Sequence, residues 1–290
     1  MKRLSRRTCM ASLAGMILSA GCATSPSIAR RRELLTAGDV QIDVLIDGTG
    51  PAVVLLPSSQ RDSLDYDEVA HLIALRGFKV LRPQPRGMGR SSPPPAGMTL
   101  STLASDVALT IERLGGGQAV VVGHAYGHWV ARVLDMEHPK LVRGVVVAGA
   151  ASKVYPAWLP AALDVASDPS KPEADRLAAL QKVMFAPSSN ARSWLGGWYP
   201  QWRAAYRSAA LLPAKDLWFN QTNAPVLDLS AEQDPWRPAS TRNELKALLG
   251  DKVTVQTIAN ASHALVIEQP QAVADAVAAW IRGLDKTLKP

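Results

Sequence analysis

The sequence predicts an α/β fold: a mostly parallel central sheet flanked by helices, broken once by a long helical insertion. Three observations predict it. Short apolar, β-branched runs recur at 40–46, 52–56, 78–81, 119–122, 145–148, 226–229 and 253–258. Most of them lack alternation, as strands covered on both faces do. Helical periodicity fills the gaps at 66–76, 100–114, 127–136, 240–249 and 270–284, giving the strand and helix alternation of a parallel sheet. Between 148 and 226 no strand pattern occurs, and an insertion at about 152–223 rich in Ala, Leu, Pro and Trp takes its place. A chain of 290 residues suits one such domain with an insertion better than two domains, and 47% hydrophobic residues can fill its core.

In chain order the first element is a leader. Residues 1–22 carry Lys2, Arg3, Arg6 and Arg7, then the apolar run 10–20, and no acid, which is the layout of an export signal. The run is too short to span a bilayer permanently. Ser5-Arg6-Arg7 resembles a twin-arginine signal, and Leu18-Ser19-Ala20-Gly21-Cys22 resembles a lipobox with Ser19 where leucine is usual. The expectation is an exported protein, periplasmic or lipid-anchored to a bacterial envelope through Cys22. Residues 23–39 read as a linker, and 40–290 as the folded domain.

The first 32 residues also carry the net charge. Lys2, Arg3, Arg6, Arg7, Arg30, Arg31 and Arg32 are seven of the 32 basic residues, which leaves 25 against 25 acidic residues in the body. A neutral body excludes a nucleic-acid surface as the meaning of the high isoelectric point. Cys9 and Cys22 both lie in the leader, so the body has no disulfide, thiol nucleophile or cysteine metal site.

After the run 52–56 comes Leu56-Pro57-Ser58-Ser59-Gln60, and after 78–81 comes Arg82-Pro83-Gln84-Pro85-Arg86-Gly87-Met88-Gly89-Arg90-Ser91. The next strand runs into Gly123-His124-Ala125-Tyr126-Gly127-His128-Trp129, a sharp turn between two glycines that opens a helix. This is the nucleophile elbow G-x-S-x-G with Ala125 in the serine slot. Downstream, the strand ending near Ala231 presents Asp234, and the strand ending at Ile258 presents His263. The order elbow, acid, histidine resembles the α/β-hydrolase superfamily. The match extends to the loop D-x-R-G-x-G-x-S, with Gln84 for its first acid, and to Glu268-Gln269-Pro270. A bacterial subgroup sharing L-P-S, R-P-Q-P-R-G-x-G and G-H-A-[FY]-G is similar over most of the chain.

That resemblance implies roles. Asp234 orients His263 and stabilises its cation, while the backbone N–H groups of Tyr126 and of a residue near Ser59 form an oxyanion hole. A methyl group at residue 125 cannot form an acyl-enzyme. Four accounts then stand side by side: His263 as general base on water or on a substrate C–H or O–H; Ser58 or Ser59 as a displaced nucleophile; a ligand binder without turnover; or a serine esterase inactivated by Ser→Ala at 125. The first resembles the cofactor-free dioxygenases and lyases of this fold.

His128, Trp129, Trp194 and Trp198 are the expected pocket residues, for a small apolar or aromatic substrate, and packing of the insertion onto the domain below is the equal alternative for the spaced tryptophans. His124 is expected to pack beneath the elbow, and His71 and His138 to be solvated. Five of the eight tryptophans fall in the insertion, and Trp194, Trp198 and Trp202 share a four-residue spacing. Gly196, Gly197 and Pro200 argue against one unbroken helix through them. No metal or phosphate motif is visible, and no cofactor is expected.

Overall fold

The computed structural model describes residue 28 and residues 30–287. The expected export signal, twin arginines and Cys22 lie outside the described residues. The strands are β1 (Arg30–Ala37), β2 (Val40–Asp47), β3 (Ala52–Leu56), β4 (Lys79–Pro83), β5 (Ala119–His124), β6 (Val142–Ala148), β7 (Val226–Ala231) and β8 (Val253–Ile258). The helices are α1 (Asp67–Leu75), α2 (Leu100–Leu114), α3 (Tyr126–Glu137), α4 (Trp158–Ser167), α5 (Glu173–Val183), α6 (Arg203–Ala209), α7 (Lys215–Phe219), α8 (Glu244–Leu249), α9 (Leu265–Glu268) and α10 (Pro270–Thr287).

Eight strands form one sheet in the order β1-β2-β4-β3-β5-β6-β7-β8. β2 pairs antiparallel with β1 and β4, and every later neighbour is parallel. The central strands are apolar on both sides because both faces are covered. One face packs against α2, α3 and α8 through residues such as Leu103, Val107, Leu134 and Leu245. The other packs against α1 and α10 through Val69, Ile73, Val273 and Val277. The carboxyl ends of β3, β5, β7 and β8 therefore gather at one edge of the sheet, where loops can build a site.

Strand β1 corrects the expected linker. Residues 30–37 pair with β2 along their whole length. An edge strand with one open side can be charged, so it shows no apolar run. Its arginines find partners underneath: Arg30 Nε donates to Asp47 at 3.0 Å and Arg32 Nε to Asp43 at 2.8 Å. The buried Arg82 of β4 closes the pair with Asp47 at 2.8 Å.

The insertion between β6 and β7 contains α4 to α7 and no strand. It has a small core of its own, in which Leu159, Leu180, Val183, Met184, Phe185 and Trp194 are buried. Around the three spaced tryptophans the chain makes two short 3₁₀ turns, Ala191–Trp194 and Pro200–Trp202.

Candidate active site

The elbow is a backbone device. β5 ends at His124 and α3 begins at Tyr126, so one residue, Ala125, makes the reversal, with φ 47° and ψ −118°. Such a positive φ is strained for any residue with a Cβ. The flanking glycines are required by close approach: a Cβ on Gly123 would lie 2.4 Å from the N and Cα of His128, and one on Gly127 would lie 2.4 Å from the carbonyl oxygen of Leu56. The Ala125 N–H donates to the Ala148 carbonyl at 3.0 Å, which fastens the turn to β6.

Asp234 follows β7 and His263 follows β8, and their loops meet. His263 Nδ1 donates to Asp234 Oδ2 at 2.9 Å, and the Trp236 N–H donates to Asp234 Oδ1 at 2.8 Å. With Nδ1 committed as a donor, the lone pair of the neutral ring lies on Nε2. The Trp236 ring stacks on the imidazole with centroids 5.1 Å apart, and its own N–H is held by the Val183 carbonyl at 2.7 Å. Glu268 anchors the histidine loop to the insertion, accepting from the N–H groups of Ser262 and Ala186 at 2.7 Å each. Ala264 N–H to the Met184 carbonyl, at 2.8 Å, adds a second tie.

His124 lies beneath this arrangement, 1% exposed. Its Nε2–H donates to the His263 carbonyl at 2.7 Å, and its Nδ1 accepts from the Tyr66 hydroxyl at 2.7 Å. The same hydroxyl accepts from the Ser58 N–H at 3.1 Å. A relay of three hydrogen bonds thus fixes the loop after β3 relative to the loop after β8. Burial, and then the neighbouring His263, push the His124 pKa down to about 3, so the ring is neutral.

The loop after β3 turns at Gln60, a non-glycine residue with φ 59°. Because the Ser58 N–H is engaged by Tyr66, the N–H of Ser59 is the one left over beside that of Tyr126. Among the described residues no hydrogen bond within the chain engages either of these two.

A cavity of about 200 Å³ opens at the elbow. Ser58, Ser59, Ala125, Tyr126, His128, Trp129 and His263 line it. Among the described residues neither Ser58 nor Ser59 hydrogen-bonds His263 through its hydroxyl. Trp194 and Trp198 are a correction, since neither lines the cavity. They clamp the guanidinium of Arg61, whose central carbon is 4.5 Å from one ring centroid and 4.7 Å from the other. Arg61, 1% exposed, is also paired with Asp65 at 2.5 Å. Cation–π contact and ion pairing compensate that buried charge, which is why the two rings turn inward.

Several lining residues have no sequence signal of their own. Tyr155, Leu163, Met184 and Tyr206 come from the insertion, and Asp164, Arg203 and Arg207 form a charged rim. Trp236 carried one unused cue, its place two residues after Asp234. Among the described residues no group of three or more His, Cys, Asp or Glu converges as a metal site.

Residues 53–276 match the model of a family described as "Alpha/beta hydrolase family". Bifunctional epoxide hydrolase 2 of Sus scrofa is 30% identical over 41% of this chain and 22% of its own length. The sn-1-specific diacylglycerol lipase ABHD11 of Mus musculus is 25% identical over 81% of this chain and 82% of its own. A thermophilic esterase from Thermogutta terrifontis superposes with a TM-score of 0.72 at 21% identity, over 88% of this chain and 99% of that one. The chain spans less than half the length of the four curated relatives it matches first.

Proposed function

The chain belongs to the alpha/beta hydrolase family, and from that premise we propose that it turns over a small apolar or aromatic carbonyl compound by using His263 as a general base without a nucleophile at residue 125. The observation that carries the reading is the hydrogen bond of 2.9 Å from His263 Nδ1 to Asp234, at a cavity that His263 shares with Ala125. Water takes the place of the serine. Nε2 of His263 removes a proton from water as its oxygen attacks the carbonyl carbon, and Asp234 stabilises the imidazolium that results. The N–H groups of Tyr126 and Ser59 meet the oxyanion. When the intermediate collapses, the bond to the leaving oxygen breaks and His263 returns the proton to it. Oxyanion donors and binding alone leave about 10³ to 10⁴ of rate over water once a nucleophile is gone, and a positioned base acting on water adds its own share of about 10² to 10⁴.

The small-molecule character of the substrate is supported by the relatives, whose names describe hydrolases of epoxides and acylglycerols. The apolar lining of Trp129, Leu163, Met184 and Trp236 supports an apolar or aromatic body. The insertion, which forms the upper wall through Tyr155, Leu163 and Tyr206, acts as a lid in this reading. The basic, acid-free leader ending at Cys22 supports export to the envelope, and mass spectrometry of the mature N-terminus tests that part.

A second reading, binding without turnover, is favoured by the methyl group of Ala125. A panel of alkyl and aryl esters, assayed with the protein as sequenced and with Ala125→Ser, decides between them. Turnover by both proteins is the expected result. Turnover gained only with the serine contradicts the proposed base chemistry and supports the binder.

A further inference from the structure

We propose that His128 is a specificity-determining acceptor, whose Nε2 selects ligands that set an O–H or N–H donor against the cavity floor beside Ala125. The inference rests on the cavity described above and gives its substrate a chemical class: a compact aromatic or apolar molecule with a hydrogen-bond donor.

Two imidazoles line the cavity, and they differ in what holds them. His263 has a carboxylate behind it and can carry a positive charge. His128 is anchored on a backbone carbonyl, since its Nδ1–H donates to the oxygen of Ala125, three residues back on the same turn. That bond fixes the tautomer and leaves Nε2 as a lone-pair acceptor. His128 is only 2% exposed, and no hydrogen bond within the described residues engages Nε2. Nor is Nε2 sealed in the interior: the sealed, unpartnered side-chain atoms among the described residues are Gln84 Nε2, Arg132 Nε, Asp228 Oδ1 and Arg242 Nε. Nε2 thus keeps accessible surface, on a residue that lines the cavity.

Its surroundings keep it an acceptor. Burial holds the pKa of His128 well below the ordinary histidine value, and Arg132, Arg237 and Lys215 oppose a further positive charge nearby. The Trp129 and Trp218 rings pack edge-on against the imidazole, with centroids at 6.1 and 6.5 Å, and offer it no acceptor group. A ligand that lacks a donor leaves Nε2 desolvated and unpaired, whereas a phenol or an N–H compound satisfies it.

The test is a titration of tryptophan fluorescence in the full chain with 4-ethylphenol and with 4-ethylanisole, which differ in the donor. Trp129 and Trp236 line the cavity and report occupancy. The wild type is expected to bind the phenol about two- to tenfold more tightly, the worth of one net hydrogen bond. His128→Leu abolishes that preference, His128→Gln retains part of it through its amide oxygen, and His263→Ala leaves it intact. If His128→Leu does not fold, the ¹⁵N shift of His128 Nε2 in the wild type decides: it moves on binding the phenol and stays on binding the anisole. Equal affinities in the wild type, binding of neither ligand, or loss of the preference in His263→Ala each overturns the proposal. Absence of ester turnover with the phenol preference intact overturns the general-base reading alone.

Discussion

Ala125 keeps the strained backbone of a nucleophile, at φ 47°, without the hydroxyl that usually justifies it. A conformation of that kind costs on the order of 1–3 kcal/mol, so the turn must be held from outside, and the Ala148 carbonyl and the two close-packed glycines hold it. In the proposed mechanism the strain still provides direction, aiming the first N–H of α3 at the oxyanion. The proton-handling group in that mechanism is His263, and its orientation depends on Asp234. Asp234→Asn replaces an acceptor by an amide that can donate, which favours the wrong tautomer of His263. Turnover should fall by about 10²-fold or more, bounded by the about 10² to 10⁴ that a positioned base supplies. Steady-state kinetics with an aryl ester checks this, and the melting temperature should change little because the amide can still accept from the Trp236 N–H. At this scale the sequence was informative where chemistry is tied to a motif, as at Gly123, Ala125, Asp234 and His263. It was silent on Tyr66, whose hydroxyl joins Ser58 to His124 from the short 3₁₀ turn before α1, because a lone tyrosine has no spacing to read.

Elements were legible where apolar or β-branched residues run together, whether the strand is buried throughout like β3 or half exposed like β8. The runs 52–56 and 253–258 coincide with β3 and β8, and helix 100–114 with α2, which carries a Thr99 capping box and an apolar stripe. β1 escaped because its stability comes from backbone pairing and from Arg30 and Arg32 over Asp47 and Asp43, none of which leaves an apolar pattern. The insertion was legible as helical, and its tryptophans were not. Their spacing suggested a wall for substrate, whereas the Gly196-Gly197 break lets Trp194 and Trp198 fold around Arg61. Trp198→Ala should therefore destabilise the protein by about 2 kcal/mol, below the range for a fully buried ring because Trp198 is only partly buried, while leaving KM within about twofold. Urea unfolding alongside ester kinetics checks it. A large rise in KM at unchanged stability would restore Trp198 to the pocket.

Across the whole molecule one neutral buried imidazole, His124, ties loops of one sheet edge together and a second, His128, is held within the elbow turn, and this has a pH signature. His124 is pushed down to about 3 from 6.5 by burial and then by His263, and His128 is also driven well down by burial and then by Arg132. The unfolded chain binds protons on both below about pH 6.5 while the folded chain does not, so stability is full above that pH and falls as pH drops through it. Asp228 works in the opposite sense, because burial lifts it to about 6 against the pull of Arg237, and its contribution fades as pH rises from about 4 to 6. Two groups outweigh one, and the urea midpoint should be lower at about pH 5 than at about pH 7.5. An equal or higher midpoint at the lower pH would contradict neutral buried histidines. The same edge of the sheet bears the catalytic proposal, and its core is that an imidazole does the chemistry that residue 125 cannot. The most direct measurement is kcat/KM for one aryl ester with the protein as sequenced and with His263→Ala. A fall of about 10²-fold or more is predicted, the minimum share of a general base; identical values for the two proteins would contradict the account.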